Sequence, residues 1–354
     1  NLVVHDMGDG IFAGAPAEGV EVNGCIVYNN GWIGPDRGNG HSIYLQNAGA
    51  AKVLRGNVFY NSFSQGIHIY GSDVAQLRNF VIEGNTVFGS GANAEARFNG
   101  LGANFLAWGG APGALGNIVM RGNSLFHTSQ TAQAVQMNSP GFAPGFDLTF
   151  ADNIVQGQPF FAEWRNYVVT GNRFAGAAGF TGGDVLASIR LAPGQAWSAH
   201  QWDNNQYATG PAPSTWMFYM VPAGADGIRS DFAGWRSRTG YDRASTLVPA
   251  FSGQQVIVRR SDYEPGHAIA TVWNWSDAAS ATIDVGEAVP AGFVAEVRHV
   301  YDPYGEPVAR IGAGQRTASV SLASRVPPMA IGAPARPRET GTRFNVFVVR
   351  RVRA

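Results

Sequence analysis

One phrase recurs through the first half of the chain: NLVVHD, NGCIVYNN, RGNVFYNS, EGNTVFGS, RGNSLFHT, ADNIVQGQ and TGNRFAGA. Aligned on one position, these copies bring Asn1, Asn57, Asn85, Asn123, Asn153 and Asn172 together, with Cys25 substituting once, at spacings of 24, 32, 28, 38, 30 and 19 residues. A unit returning at such intervals cannot bury its apolar face alone and must stack on its neighbours, so the chain is expected to form a solenoid.

Each copy is flanked by short β-rich stretches. Before it run Val20-Glu21-Val22, Lys52-Val53-Leu54, Phe80-Val81-Ile82, Ile118-Val119-Met120 and Tyr167-Val168-Val169; after it run Ile26-Val27-Tyr28, Val58-Phe59-Tyr60 and Ser124-Leu125-Phe126. Only a Gly-Asn step separates the two, so the chain turns a corner there. Asn tolerates the left-handed backbone a corner needs, and its amide can bond to the Asn of the next coil. A third strand follows a variable loop: Ile11-Phe12-Ala13, Ser42 to Leu45, Ile67 to Tyr70, Asn104-Phe105-Leu106 and Ala134 to Met137. Three strands per coil predict a right-handed parallel β-helix, all-β in class.

This ladder and coil pattern, over residues 1 to about 210, resembles the pectate-lyase-like superfamily of carbohydrate-active β-helices. Asn205 in WDNNQY extends the ladder by one distorted coil. Ser230-Asp231-Phe232 opens with helix-capping residues and the segment closes at Gly240, predicting a short helix. FAGWRSRTGYDRAS is similar to the closing region of bacterial β-helix proteins, where it covers the end of the solenoid. From about residue 251 the ladder phrase gives way to alternating runs such as Ala268 to Trp273 and Phe344 to Val349, which predict an antiparallel β-sandwich. The expected organisation is a β-helix over 1–210, a capping segment over 211–250 and a sandwich over 251–354. Because Asn1 already lies on the ladder, the helix is expected to be N-terminally incomplete, with its open first coil covered by a partner copy in a homo-oligomer.

With 25 Lys and Arg against 25 Asp and Glu, the chain lacks the basic excess of a nucleic-acid groove. No run of about 18 apolar residues indicates a membrane span. Neither nucleic acid nor membrane is therefore expected as a partner. Cys25 alone gives neither a disulfide framework nor a zinc cluster.

Inward side chains of a β-helix form its core, so chemistry must sit on an outward face or in the loops. Aligning Gly40 with Gly66 stacks Ile43 on Ile69 inside, and Ser42 on His68 and Tyr44 on Tyr70 outside. Asn104 and Gln136 are expected to extend that face. The loop Gly31 to His41 brings Asp36, Arg37 and His41 to one edge. The phrases GPDRGNGHSIYLQN and GIHIYG resemble a recurring pattern among bacterial β-helix repeat proteins. Trp108 and Trp164, just after face strands, suit stacking on a sugar ring, and Glu163 supplies an acid. Plainer uses exist: Tyr44 and Tyr70 suit an outward aromatic ladder, His68 a solvated surface residue, His41 a ligand of loop backbone, and Asp36 a turn acid paired with Arg37. His5 with Asp6, stacked above Asn29 and Asn30, and His127 on the same row, are expected to be ladder substitutes on another face.

The resemblance implies a secreted or periplasmic protein acting on polysaccharide. In β-elimination from a uronic acid, a base removes the proton beside a carboxylate whose charge is neutralised. His68, His41, Tyr70 and Arg37 are the expected catalytic set; Asp36, Tyr44, Asn104, Trp108, Gln136 and Glu163 are expected to bind substrate. Hydrolysis requires paired carboxylates, which the face lacks. No metal is assigned: a calcium site, the one cofactor the resemblance admits, would need clustered acids. A noncatalytic glycan-binding or structural module needs the same face without a base.

Overall fold

A computed structural model describes residues 1–129, 132–177, 185–210, 216–286 and 292–352. The boundary expected at residue 211 and the last two residues of the expected sandwich lie outside the described residues. Three long sheets build a parallel β-helix. Sheet 1 collects the strand after each corner, from Val3–His5 and Ile26–Tyr28 to Thr246–Val248. Sheet 2 collects the strand after each variable loop, from Ile11–Ala13, Ile43–Leu45 and Ile67–Gly71 to Phe218–Val221. Sheet 3 collects the strand before each corner, from Glu21–Asn23 to Gln201–Asp203. One antiparallel strand, Ile228–Ser230, ends sheet 2. Ile43, Leu45, Ile67 and Ile69 from sheet 2 meet Phe80, Ile82 and Phe59 from the other sheets in one continuous core.

The ladder holds the corner between sheets 3 and 1. Each rung's side-chain oxygen accepts the backbone N–H of the rung one coil earlier: Cys25 to Asn57 at 2.8 Å, Asn57 to Asn85 at 3.0 Å, Asn85 to Asn123 at 2.9 Å and onward to Asn205. Its NH2 group donates back to a carbonyl of the preceding coil, as from Asn123 to Ile82. The Asn does not itself take the left-handed backbone. That conformation falls on the residue before it, Gly24, Gly56, Gly84, Gly122 and Gly171, or Asp152 and Asn204 where Gly is replaced. Gly or a short polar residue carries the strained φ, which frees the Asn side chain to point inward.

The placement of Asn1 needs correction. Val3 pairs with Ile26, so Leu2 occupies the rung beside Cys25, whose sulfur accepts the Leu2 N–H. The Asn1 amide turns instead to Ser261 and Glu264. This one-residue slip carries through the first coil. His5 faces Tyr28 and stacks on it at 4.8 Å, rather than replacing a ladder Asn. Asp6 shares the left-handed conformation of Asn29 and Asn61, and buried His127 donates through Nε2–H to the Gly102 carbonyl.

At the far end, helix α2 (Phe232–Thr239) starts on Asp231, whose carboxylate accepts the Gly234 N–H, and stops at left-handed Gly240. Its Trp235 ring packs against Trp202 and Phe218. Ser245 takes the place of the next rung, accepting the Asn205 N–H at 2.7 Å. A second helix, α1 (Ala92–Phe98), lies in the loop after Thr86–Phe88 and had no sequence expectation. Its Ala94 abuts Gly38.

The C-terminal part is a five-stranded antiparallel sheet and a two-stranded pair, Ser280–Asp284 with Thr317–Ser321. Ala270, Val272, Ile283 and Val320 fill the space between them. The other side of the larger sheet, through Ile269, Trp273, Val346 and Val348, buries the outward residues of sheet 1, Tyr28, Tyr60, Phe88 and Phe126. Tyr60 donates to the Val300 carbonyl and Trp273 to the Ser124 hydroxyl across this seam. Sheet 1 is thereby covered, while the outer row of sheet 2 keeps partly exposed residues.

Candidate functional site

Parallel pairing fixes the outward rows of sheet 2. Ile43 pairs with Ile67, not Ile69, so the register is two residues from that given by matching Gly40 to Gly66. Because side chains alternate with period two, a two-residue shift exchanges neighbours without exchanging faces. Ile43 and Ile69 remain inside. The outer row reads Phe12, Tyr44, His68, Leu106, Gln136, Phe160, Ser188 and Tyr219, and Tyr70 pairs with Trp108. Tyr44 therefore neighbours His68, while Ser42 is buried at the strand entrance.

Gly40 brings His41 onto this face. Its φ of +82° and its contact with Gly8 and Gly31 leave no room for a side chain, and a short hairpin, Trp32–Ile33 with Gly38–Asn39, folds the preceding loop back. The His41 backbone N–H donates to Asp9 at 2.9 Å. The Gln65 backbone N–H donates to His41 Nδ1 at 3.2 Å. That bond requires Nδ1 to be unprotonated, which puts the proton of a neutral His41 on Nε2. His41 Nε2 lies 2.9 Å from His68 Nδ1 and donates to it. The proton of His68 is then on Nε2. Burial pulls His41 down to about 4, with Arg37 adding repulsion. Burial and then His41 pull His68 down to about 2. Both rings are neutral at pH 7.

Rings continue on either side of the pair. Phe12 stacks on Tyr44 at 5.4 Å, Tyr44 meets His68 edge-on at 5.0 Å, and Tyr70 stacks on His68 at 5.1 Å. Trp108 follows Tyr70 at 6.1 Å, and Phe142 stacks on Trp108 at 5.5 Å. Burial raises the Tyr44 hydroxyl above its ordinary range. It also raises Asp9, against the lowering by the His41 N–H.

Of the expected residues, His41, Tyr44, His68, Tyr70 and Trp108 converge, and Gln136 lies further along the row. Asn104 does not reach the face: it is buried before its strand and donates to the Phe126 carbonyl. Trp164 is a core residue whose N–H donates to Met137. Glu163 takes a left-handed backbone after its strand and pairs with Arg190 at 3.3 Å. Asp36 and Arg37 form an exposed pair at 3.6 Å. Phe12, Asp9, Gln65 and Phe142 were not anticipated as site residues. Phe12 had a signal, because Ile11-Phe12-Ala13 repeats the pattern of Ile43-Tyr44-Leu45; Phe142 sits in a loop with no strand register. Among the described residues no three His, Cys, Asp or Glu side chains group as a metal site.

The hydrogen-bond pattern has a direct test. At pH 6, nitrogen NMR should find His41 and His68 both neutral with the proton on Nε2. An imidazolium at either ring, or an Nδ1–H on His41, contradicts the assignment. Unfolded imidazoles take up a proton near 6.5 and these two only near 4 and 2. Their folded forms are therefore at full stability above about pH 6.5 and lose it as pH falls below that value.

No protein-family model matches the chain, and the comparisons with curated proteins and with solved structures likewise return no match.

Proposed function

We propose that the outer face of sheet 2 binds an extended polysaccharide containing uronic acid and cleaves it by β-elimination. On this reading the chain is a pectate-lyase-like β-helix acting outside the cytoplasm. The observation that carries it is the unbroken run of rings from Phe12 to Phe142 with the His41–His68 pair in its middle. Aromatic faces stack on the apolar faces of pyranose rings. Polar groups inside the run then address one sugar.

The proton positions assign the roles. His68 presents Nε2–H, so it donates, steadying the uronate carboxylate as negative charge builds on it. His41 holds that tautomer. The Tyr70 oxygen, once ionised, takes the proton from the carbon beside the carboxylate. The carbon–carbon double bond forms as the bond to the glycosidic oxygen breaks, and the tyrosine hydroxyl returns its proton to that oxygen. His68 is thus a hydrogen-bond donor rather than the base. Hydrolysis is less suited to this face. Glu163 lies five coils from Asp9, about 24 Å at about 4.8 Å per coil, beyond the ~6.5–9.5 Å of an inverting carboxylate pair.

The test is the absorbance of the unsaturated uronate on incubation with polygalacturonate, alginate and glycosaminoglycans. Tyr70→Phe should lower kcat by at least about 100-fold, with glycan binding retained. Absence of unsaturated product across the panel and across pH overturns elimination. The continuity of the rings favours one second reading, a binding module, which retention of glycan without product would support.

A further inference from the structure

We propose that the polysaccharide alternates the cleaved uronic acid with a neutral sugar, and that Asp9 sets this selectivity by opposing a second carboxylate beside the first. The inference rests on the reading of the sheet 2 face as a uronate site and names which uronate polymers that face accepts.

Asp9 stands where the run of rings begins. Ile11 pairs with Ile43, so Asp9 and His41, each two residues earlier, take matching places on consecutive coils. The exposed Asp9 carboxylate accepts the His41 backbone N–H at 2.9 Å, and the His41 ring stacks on Tyr44 at 5.6 Å. Phe12, three residues after Asp9 in the same coil, stacks on Tyr44 as well. A sugar over Phe12 and Tyr44 therefore has Asp9 beside it. The charge is felt there: burial raises the Tyr44 hydroxyl, and Tyr70 and Asp9 add to the rise.

Among the described residues, no basic side chain within the run offsets Asp9. His41 and His68 are neutral. Arg37, in the loop before His41, is exposed and pairs with Asp36 at 3.6 Å. Arg190, further along sheet 2, pairs with Glu163. The stretches 130–131, 178–184 and 211–215 contain neither Lys nor Arg.

A homopolymer of uronates carries a carboxylate on every ring. With one of them held by His68 Nε2–H, the next sugar toward the first coil brings its own charge to Tyr44, about one coil, or ~4.8 Å, from Asp9. Like charges that close repel each other. On the other side, Trp108 and Phe142 present stacked rings, where a carboxylate loses water and gains no charged partner. An alternating polymer keeps the central carboxylate and lays the apolar C–H faces of neutral sugars on the flanking rings.

The experiment titrates octasaccharides into the full chain at low salt, following heat and the imidazole nitrogen resonances of His68. Hyaluronan and unsulfated chondroitin, which alternate glucuronate with an uncharged N-acetylated sugar, are compared with octagalacturonate and octaguluronate. At least one alternating octasaccharide is expected to bind about 5-fold or more tighter than both homopolymers. Asp9→Asn keeps an oxygen to accept the His41 N–H and removes the charge, so it should strengthen homopolymer binding by about 5-fold or more and narrow the ratio. If that variant fails to fold, the unsubstituted protein supplies the same test. Raising NaCl from about 0.05 to about 0.5 M screens the repulsion and should strengthen the homopolymers relative to the alternating chains. A homopolymer that binds as tightly as the alternating chains overturns the inference, as does a ratio unmoved by Asp9→Asn or by salt. Each of those results leaves a uronate site on the face. Absence of binding and of resonance shifts for all four octasaccharides overturns the uronate reading itself, so the two failures are told apart.

Discussion

Replacing Asp242 by alanine is expected to lower the unfolding free energy by about 3–5 kcal/mol, the range seen when a partner is removed from a buried charged network. Asp242 is fully buried where the solenoid ends. Its carboxylate accepts from Ser245 Oγ at 2.5 Å, Trp235 Nε1 at 2.7 Å, Tyr207 OH at 2.8 Å and Asn205 Nδ2 at 3.3 Å. Burial raises its pKa, opposed by these donors. The free energy is concentrated in the donors: without Asp242 they are stranded in a site water does not reach, at about 1–3 kcal/mol for each unsatisfied group. Asp242→Asn retains an acceptor oxygen and should cost less than alanine. Urea denaturation monitored by tryptophan fluorescence measures both, and Trp235, bonded to the carboxylate, reports the local change. A loss below about 1 kcal/mol for the alanine variant would show that other groups hold the end of the solenoid.

The second large effect is expected at mid-ladder. Asn123→Leu preserves side-chain bulk but removes the oxygen that accepts both the backbone N–H and the side-chain NH2 of Asn85. It also removes the donor to Ile82 and Asn153. Two buried backbone groups, the Asn85 N–H and the Ile82 carbonyl, and the side-chain amides of Asn85 and Asn153 then lose a partner, so a loss of about 3 kcal/mol or more is expected. A solenoid is held by contacts between successive coils, so the damage should separate the coils before Asn123 from those after it. Hydrogen exchange resolves this. The Asn85 amide should exchange much faster in the variant, while the amides of Asn172 and Asn153, bonded to later rungs, keep their protection. Uniform acceleration along the chain would mean that the coils unfold as one unit.

The two register errors differ in consequence for a physical reason. At the site, matching Gly40 to Gly66 missed the register by two residues, yet His41, Tyr44, His68 and Tyr70 still came together, because alternation has a period of two. At the first coil, treating Asn1 as a rung missed by one and gave His5 the wrong row and the wrong partner. Asn104 was misplaced by the longer insert before Asn123, which contains α1 and offers no repeat to align. The left-handed corner was legible in Gly-Asn, but it belongs to the Gly and leaves the Asn its amide role.

What the sequence determined by itself is what repetition and alternation carry: the coils, the ladder, the division of inward from outward residues, and the capping signals of α2. Tertiary structure alone decided which face is covered, since the apolar outward rings of sheet 1 become core only when the C-terminal sheet packs on them. It also decided where the proton sits on His68. That depends on a backbone N–H from Gln65, reaching His41 across a coil. Alternation states which way a side chain points, whereas a hydrogen bond between coils depends on an ångström-scale approach that no spacing in the chain encodes.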